Sequence, residues 1–113
     1  MSTSNLYWCG TSLEDIRAFP KTAKISLGRE LDRLERGSVP TDFKPLKSMG
    51  NGITGVYEIR TREDGDIFRV AFVAKFGNDV VVLHCWQKKT QQIADIDKKI
   101  IVKRYREYKE TKR

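Results

Sequence analysis

Three strand-like runs, Gly55–Arg62, Ile67–Phe76 and Val80–Trp86, follow one another so closely that they limit this chain more than any other feature. Asp64-Gly65 lies between the first two, a dipeptide suited to the positive φ angles of a tight hairpin turn. Gly77-Asn78-Asp79 provides a second turn, so the three runs form an antiparallel meander. Alternation divides the side chains. Tyr57, Ile59 and Thr61 point one way and Glu58, Arg60 and Arg62 the other. Phe68, Val70, Phe72, Ala74 and Phe76 make an apolar face, with Arg69 and Lys75 opposite. The expected sheet therefore has one apolar face and one exposed cationic face.

Shorter signals place the remaining elements. Leu6-Tyr7-Trp8-Cys9 is a first strand ended by Gly10. Thr11-Ser12-Leu13-Glu14 has the form of a capping box, so a short helix should follow and stop before Pro20. A second helix runs from Lys21 to Arg36, with Ala23, Leu27, Leu31 and Leu34 at helical spacing and Gly37 at the left-handed cap position. Residues 38–52 carry Pro40, Pro45, Gly50 and Gly52 and read as a long loop, a class often tied to function. From Thr90 the helical pattern returns, with Ile93, Ile96, Ile100 and Ile101 on the buried side. The order β-α-α-β-β-β-α specifies a single α+β domain over 1–113, its helices packed on one side of a mostly antiparallel sheet.

The formal charge of +7 favours an acidic partner, and it is unevenly distributed. Residues 98–113 carry a net +6, on a helical pattern, and the rest of the chain only +1. Cys9 and Cys85 are too few for a disulfide scaffold or a metal motif and read as small buried hydrophobes. Met1–Asn5 is polar and no apolar stretch approaches a membrane span, so cytoplasmic residence is expected.

Basic side chains on a sheet direct the search toward phosphate chemistry. Arg60 and Arg69, on adjacent strands, would repel unless an anion lies between them, and Glu58 and Asp66 offer an alternative as neutralising surface partners. Lys88 and Lys89 follow the last strand, where a lysine contacts phosphate, moves a proton, or simply aids solubility. His84 is the single histidine: a proton acceptor for a ribose 2′-hydroxyl, or a satisfied structural residue. Trp86 shares its face and either stacks on a base or packs in the core. Arg62, Lys75, Lys99, Lys103 and Arg106 complete the expected RNA contacts. No phosphate loop, serine–histidine motif, metal cluster or cofactor signature accompanies them.

The ordered set Gly52-Ile53-Thr54-Gly55-Val56-Tyr57-Glu58-Ile59-Arg60, then Phe68-Arg69-Val70, then Leu83-His84-Cys85-Trp86-Gln87-Lys88-Lys89-Thr90 resembles the phage-derived Gp49-like (HigB-type) branch of the RelE/ParE toxin superfamily. The resemblance covers most of the chain from Tyr7 to Tyr108. It implies a RelE-like α+β fold and a type II toxin–antitoxin toxin that cuts messenger RNA on the ribosome without a metal. In such a cut the 2′-hydroxyl attacks the adjacent phosphate. It further implies that Arg60 and Arg69 contact phosphate, that Lys88 or Lys89 fills the basic position after the final strand, and that a helix-turn-helix antitoxin is the partner. Glu58, Trp86 and Gln91-Gln92 depart from the family pattern. A gyrase-directed toxin of the ParE kind and a non-catalytic nucleic-acid-binding module are the alternatives. The nuclease reading expects Arg69→Ala to relieve toxicity without loss of folding.

Overall fold

The computed structural model describes residues 5–76, 79–88 and 93–111. Its elements run β1 (Asn5–Trp8), α1 (Ser12–Arg17), α2 (Lys21–Glu35), β2 (Phe43–Pro45), β3 (Val56–Glu63), β4 (Asp66–Phe76), β5 (Asp79–Lys88) and α3 (Asp95–Thr111). The five strands form one mixed sheet in the order β1-β5-β4-β3-β2. The meander β3–β4–β5 is antiparallel throughout, and β1 pairs with β5 in parallel.

Local chemistry explains the well-placed boundaries. Asp64 (φ 51°) and Gly65 (φ 85°) both occupy positive φ, as a two-residue hairpin of matching twist requires. Helix α2 ends in a Schellman motif. Ser38 N–H reaches Arg33 O at 2.7 Å, Gly37 N–H reaches Leu34 O at 3.0 Å, and Gly37 takes φ 82°. Ala23, Leu27, Leu31 and Leu34 are all buried, which makes this stripe the attachment of α2 to the sheet. Full burial of one leucine stabilises by about 1.5–3 kcal/mol.

Several expectations change. Helices cover both faces of the sheet, not one. α1 and α2 pack with Ile59, Phe68, Val70, Phe72, Val80, Val82 and Cys85. α3 packs on the opposite face with Val56, Ala71, Val73, Val81, Leu83 and Trp86. The buried side of α3 is Ile101, Tyr105 and Tyr108, while Ile96 is 69% exposed. Ile101 is buried as expected and Ile93 packs partly against the same cluster, but Tyr105 and Tyr108 complete the buried side, the Tyr108 hydroxyl donating to Asp79 at the rim. The expected start of this helix at Thr90 lies outside the described residues. Residues 38–52 are not wholly loop, since β2 pairs with β3 and Met49 is buried. Thr11 makes no capping bond to backbone N–H; its hydroxyl donates to Asp15 at 2.9 Å instead.

Arg104 ties α3 to the beginning of the chain. Its guanidinium donates to Leu83 O at 2.9 Å and Thr11 Oγ1 at 3.3 Å. It lies so close to Gly10 that a Cβ there would come within 2.7 Å, and Gly10 itself has φ 52°. Gly10→Ala is expected to lower stability by about 1–2 kcal/mol from backbone strain alone. Urea denaturation should show part of any further loss restored by Arg104→Ala in the same chain.

Candidate nucleic-acid interface

The α3 face of the sheet collects charged side chains in rows set by strand register. Lys44 pairs with Glu58, and Glu58 with Ala71, which pairs with His84. The next row is Arg60, Arg69 and Trp86, and beyond it Arg62, Ile67 and Lys88. A bulge in β5 creates this arrangement. The pairing shifts between Ala71 and Phe72, so Val81 and Leu83 share a face with Trp86, while Val80 and Val82 lie with Cys85. Simple alternation would have left His84 and Trp86 with Val80 and Val82.

Arg69 departs most from expectation. It is not on an exposed cationic surface but 1% exposed, with Nη1 donating to Glu58 Oε1 at 3.0 Å and Oε2 at 2.8 Å. Glu58 is equally buried and has Lys44 Nζ at 3.9 Å on its other side. The physical reason is that α3 covers this face of the sheet. Bulky Trp86 and Arg60 flank Arg69 in its row, and a guanidinium removed from water requires a carboxylate within reach.

His84 is the second buried polar centre. Its Nε2 lies 2.8 Å from Asp97 Oδ1, in the first turn of α3. Its ring stacks on Trp86 with centroids 4.9 Å apart and planes 10° apart. Burial lowers its pKa, more than the Asp97 bond and charge raise it. A neutral ring donating Nε2–H to Asp97 leaves Nδ1 as a lone pair. Nδ1 and the Trp86 indole nitrogen are both enclosed and have no hydrogen-bond partner among the described residues. Buried polar groups left this way cost about 1–3 kcal/mol each, so the pair is a candidate contact for something polar.

The lowered pKa fixes a pH dependence. The folded chain holds this proton less tightly than the unfolded chain, so the contribution of His84 is full above pH 6.5 and is lost as pH falls through the folded-state value. His84→Gln should flatten the acid side of a stability–pH profile measured by urea denaturation.

The other expected residues fall in separate places. Arg60 is half-buried and lines a cleft beside α2. Arg62 is exposed and Lys88 half-buried. Lys99, Lys103 and Arg106 line a groove of about 710 Å³ with Lys98 and Met49 on the outer side of α3. Lys89 lies outside the described residues, as does the side chain of Lys75. Among the described residues the expected cations therefore do not all converge on one patch: Arg60, Arg62, Arg69 and Lys88 lie in neighbouring rows of the sheet, and Lys99, Lys103 and Arg106 lie apart on α3. Sequence reasoning missed Lys44 and Asp97 and gave Glu58 only a surface role. Asp97 carried a weak signal as a first-turn acid, whereas no local pattern marked Lys44. Cys85 is chemically quiet, its thiol pushed up to about 12 by burial. Among the described residues no three His, Cys, Asp or Glu side chains group as metal ligands.

Residues 14–106 match the family of phage-derived Gp49-like proteins (DUF891). The chain belongs to the Gp49-like family. A mutant of the E. coli toxin RelE in its free state shares the fold, with a TM-score of 0.57 and 13% identity over 93% of this chain and 97% of that one. No curated protein matches the sequence. The family is the one that the motif resemblance named, and the fold is the RelE-like one that it implied. Among the described residues no helix is long and apolar enough to cross a membrane.

Proposed function

We propose that this Gp49-like chain is the toxin of a toxin–antitoxin pair and acts as a ribosome-dependent messenger-RNA endonuclease in the cytoplasm. The reading rests on the juxtaposition of Arg69, His84 and Trp86 in two neighbouring rows of the sheet. A neutral imidazole turned by Asp97 accepts the 2′-hydroxyl proton through Nδ1. The hydroxyl oxygen then attacks the adjacent phosphorus and the 5′-oxygen leaves. Arg69 neutralises charge on the phosphate, taking it in place of the Glu58 carboxylate. Lys88, the last residue of the same strand, or Lys89, next in the sequence, supplies the leaving-group proton. Trp86 flanks the hydroxyl, and Arg62, Lys75, Lys99, Lys103 and Arg106 contact the RNA backbone. In the free chain Glu58 occupies the guanidinium, so the site is closed until substrate arrives. An antitoxin, a small helix-turn-helix protein, holds the toxin silent.

The complete burial of Arg69 in an internal ion pair also favours a second reading, a non-nuclease toxin of the ParE kind in which this network is structural. Brief induced expression separates the two. The nuclease reading expects growth arrest with loss of full-length messages and intact DNA. Growth arrest accompanied by DNA breaks and intact messages favours the second.

A further inference from the structure

The outer face of α2 carries a charge pattern that packing within one chain does not explain. Lys21 and Lys24 precede Gly28 by seven and four residues, and Asp32 and Glu35 follow it by four and seven. At about 100° per residue, these five positions share a stripe about 80° wide. Glu35 is half-buried and the other four are exposed. Reversing the direction of the stripe exchanges every lysine for an acid. Asp32 makes a weak surface pair with Arg36 at 3.1 Å, and the other three charges have no ion pair among the described residues.

Gly28 is a second, independent observation. A glycine inside a helix lowers its stability, and the interior of this chain does not call for one, since a Cβ there meets nothing within 4 Å. What it provides is a low place on the outer surface where another backbone can come close. Beside it runs a groove of about 230 Å³ between α2 and the β1–α1 segment, lined by half-buried Leu6, Trp8 and Leu13.

We infer that this chain forms a two-fold homodimer in which α2 packs antiparallel on α2 of a second copy, with Gly28 at the axis. Symmetry selects the occupant. An isologous contact sets Lys21 and Lys24 of each copy against Glu35 and Asp32 of the other. The same rotation lays each groove along its counterpart, and the apolar side chains lose further contact with water. An unrelated partner would need the same order of charges by coincidence. The wider charge distribution favours association as well. The stripe is neutral, whereas the excess of residues 98–113 sits on α3, across the sheet from α2. The contact leaves the face of Arg69 and His84 clear and holds under either reading of function.

Sedimentation equilibrium of the intact chain tests this. The parent, 13.1 kDa as one chain, should approach twice that mass as concentration rises. Lys21→Glu/Lys24→Glu makes the stripe wholly acidic, and Asp32→Lys/Glu35→Lys makes it wholly basic. Each variant alone should stay monomeric, and an equimolar mixture should restore a dimer containing one of each. Lys47→Glu/Lys109→Glu has the net charge of the acidic variant, changed at exposed sites off α2, and should dimerise like the parent. Gly28→Met should raise the dissociation constant roughly tenfold or more. Its thermal melt should not fall, because the side chain has room in the single chain. A parent that stays monomeric at every concentration overturns the inference and leaves the groove to a different protein. So does parental dimerisation by Gly28→Met or by either charge variant alone, and so does a mixture that stays monomeric.

Discussion

Arg69→Ala should cost the fold about 3–5 kcal/mol, because it leaves the Glu58 carboxylate buried without its guanidinium. Domains of this size hold only about 5–15 kcal/mol in total, so the variant is expected to be partly unfolded near physiological temperature. Glu58→Ala should be comparably harmful, for it strands the guanidinium instead. The double change Glu58→Met/Arg69→Met removes both charges and fills the space with flexible apolar side chains. It should recover most of the loss, as replacing both members of a buried pair is often neutral or stabilising by about 1–4 kcal/mol. Urea denaturation of the four chains checks this. Single variants within about 1 kcal/mol of the parent would place the pair with weak surface bridges. The expectation that Arg69→Ala relieves toxicity with folding intact therefore does not survive. Loss of toxicity in that variant alone says nothing about chemistry, and the double methionine chain is the proper comparison.

The second large effect concerns His84. His84→Gln retains a side-chain N–H donor for Asp97 and a planar group beside Trp86, but its amide cannot take up a proton. If the imidazole is the proton acceptor, cleavage by purified chain in a translating extract should slow by about 10²–10⁴-fold. Asp97→Asn should produce a smaller loss and shift the pH profile of cleavage, since it removes the charge that orients the ring. Cleavage at the parental rate by His84→Gln would assign the histidine to structure.

The parts of this molecule that were legible beforehand are those written in local chemistry. Asp64-Gly65 marks its hairpin by a φ requirement, Gly37 marks the end of α2, and the Ala23–Leu34 stripe marks the helix itself. The illegible parts depend on long-range geometry. Nothing near Leu83 announces the bulge, yet the bulge decides which face holds His84 and Trp86. Likewise α3 covers the second face because Ile101, Tyr105 and Tyr108 require an apolar surface, and alternating Val56, Ala71 and Val73 offer one. Reading those strands as half solvated made Arg69 look exposed. Arg60 and Arg69 lie on adjacent strands as expected, and the structure adds that they stand directly opposite each other. Their burial and partners were not, because a salt bridge from Arg69 to Glu58 depends on what covers it. Family membership entered through the ordered motifs themselves and does not depend on these details.

Mapping RNA 5′ ends after a short induction bears most directly on the central claim that this sheet face cuts messages by internal 2′-hydroxyl attack. The parent chain should generate new 5′-hydroxyl ends within coding sequences, and those ends should vanish with His84→Gln at equal protein level. An unchanged end profile in arrested cells, or identical new ends from the His84→Gln chain, would contradict it.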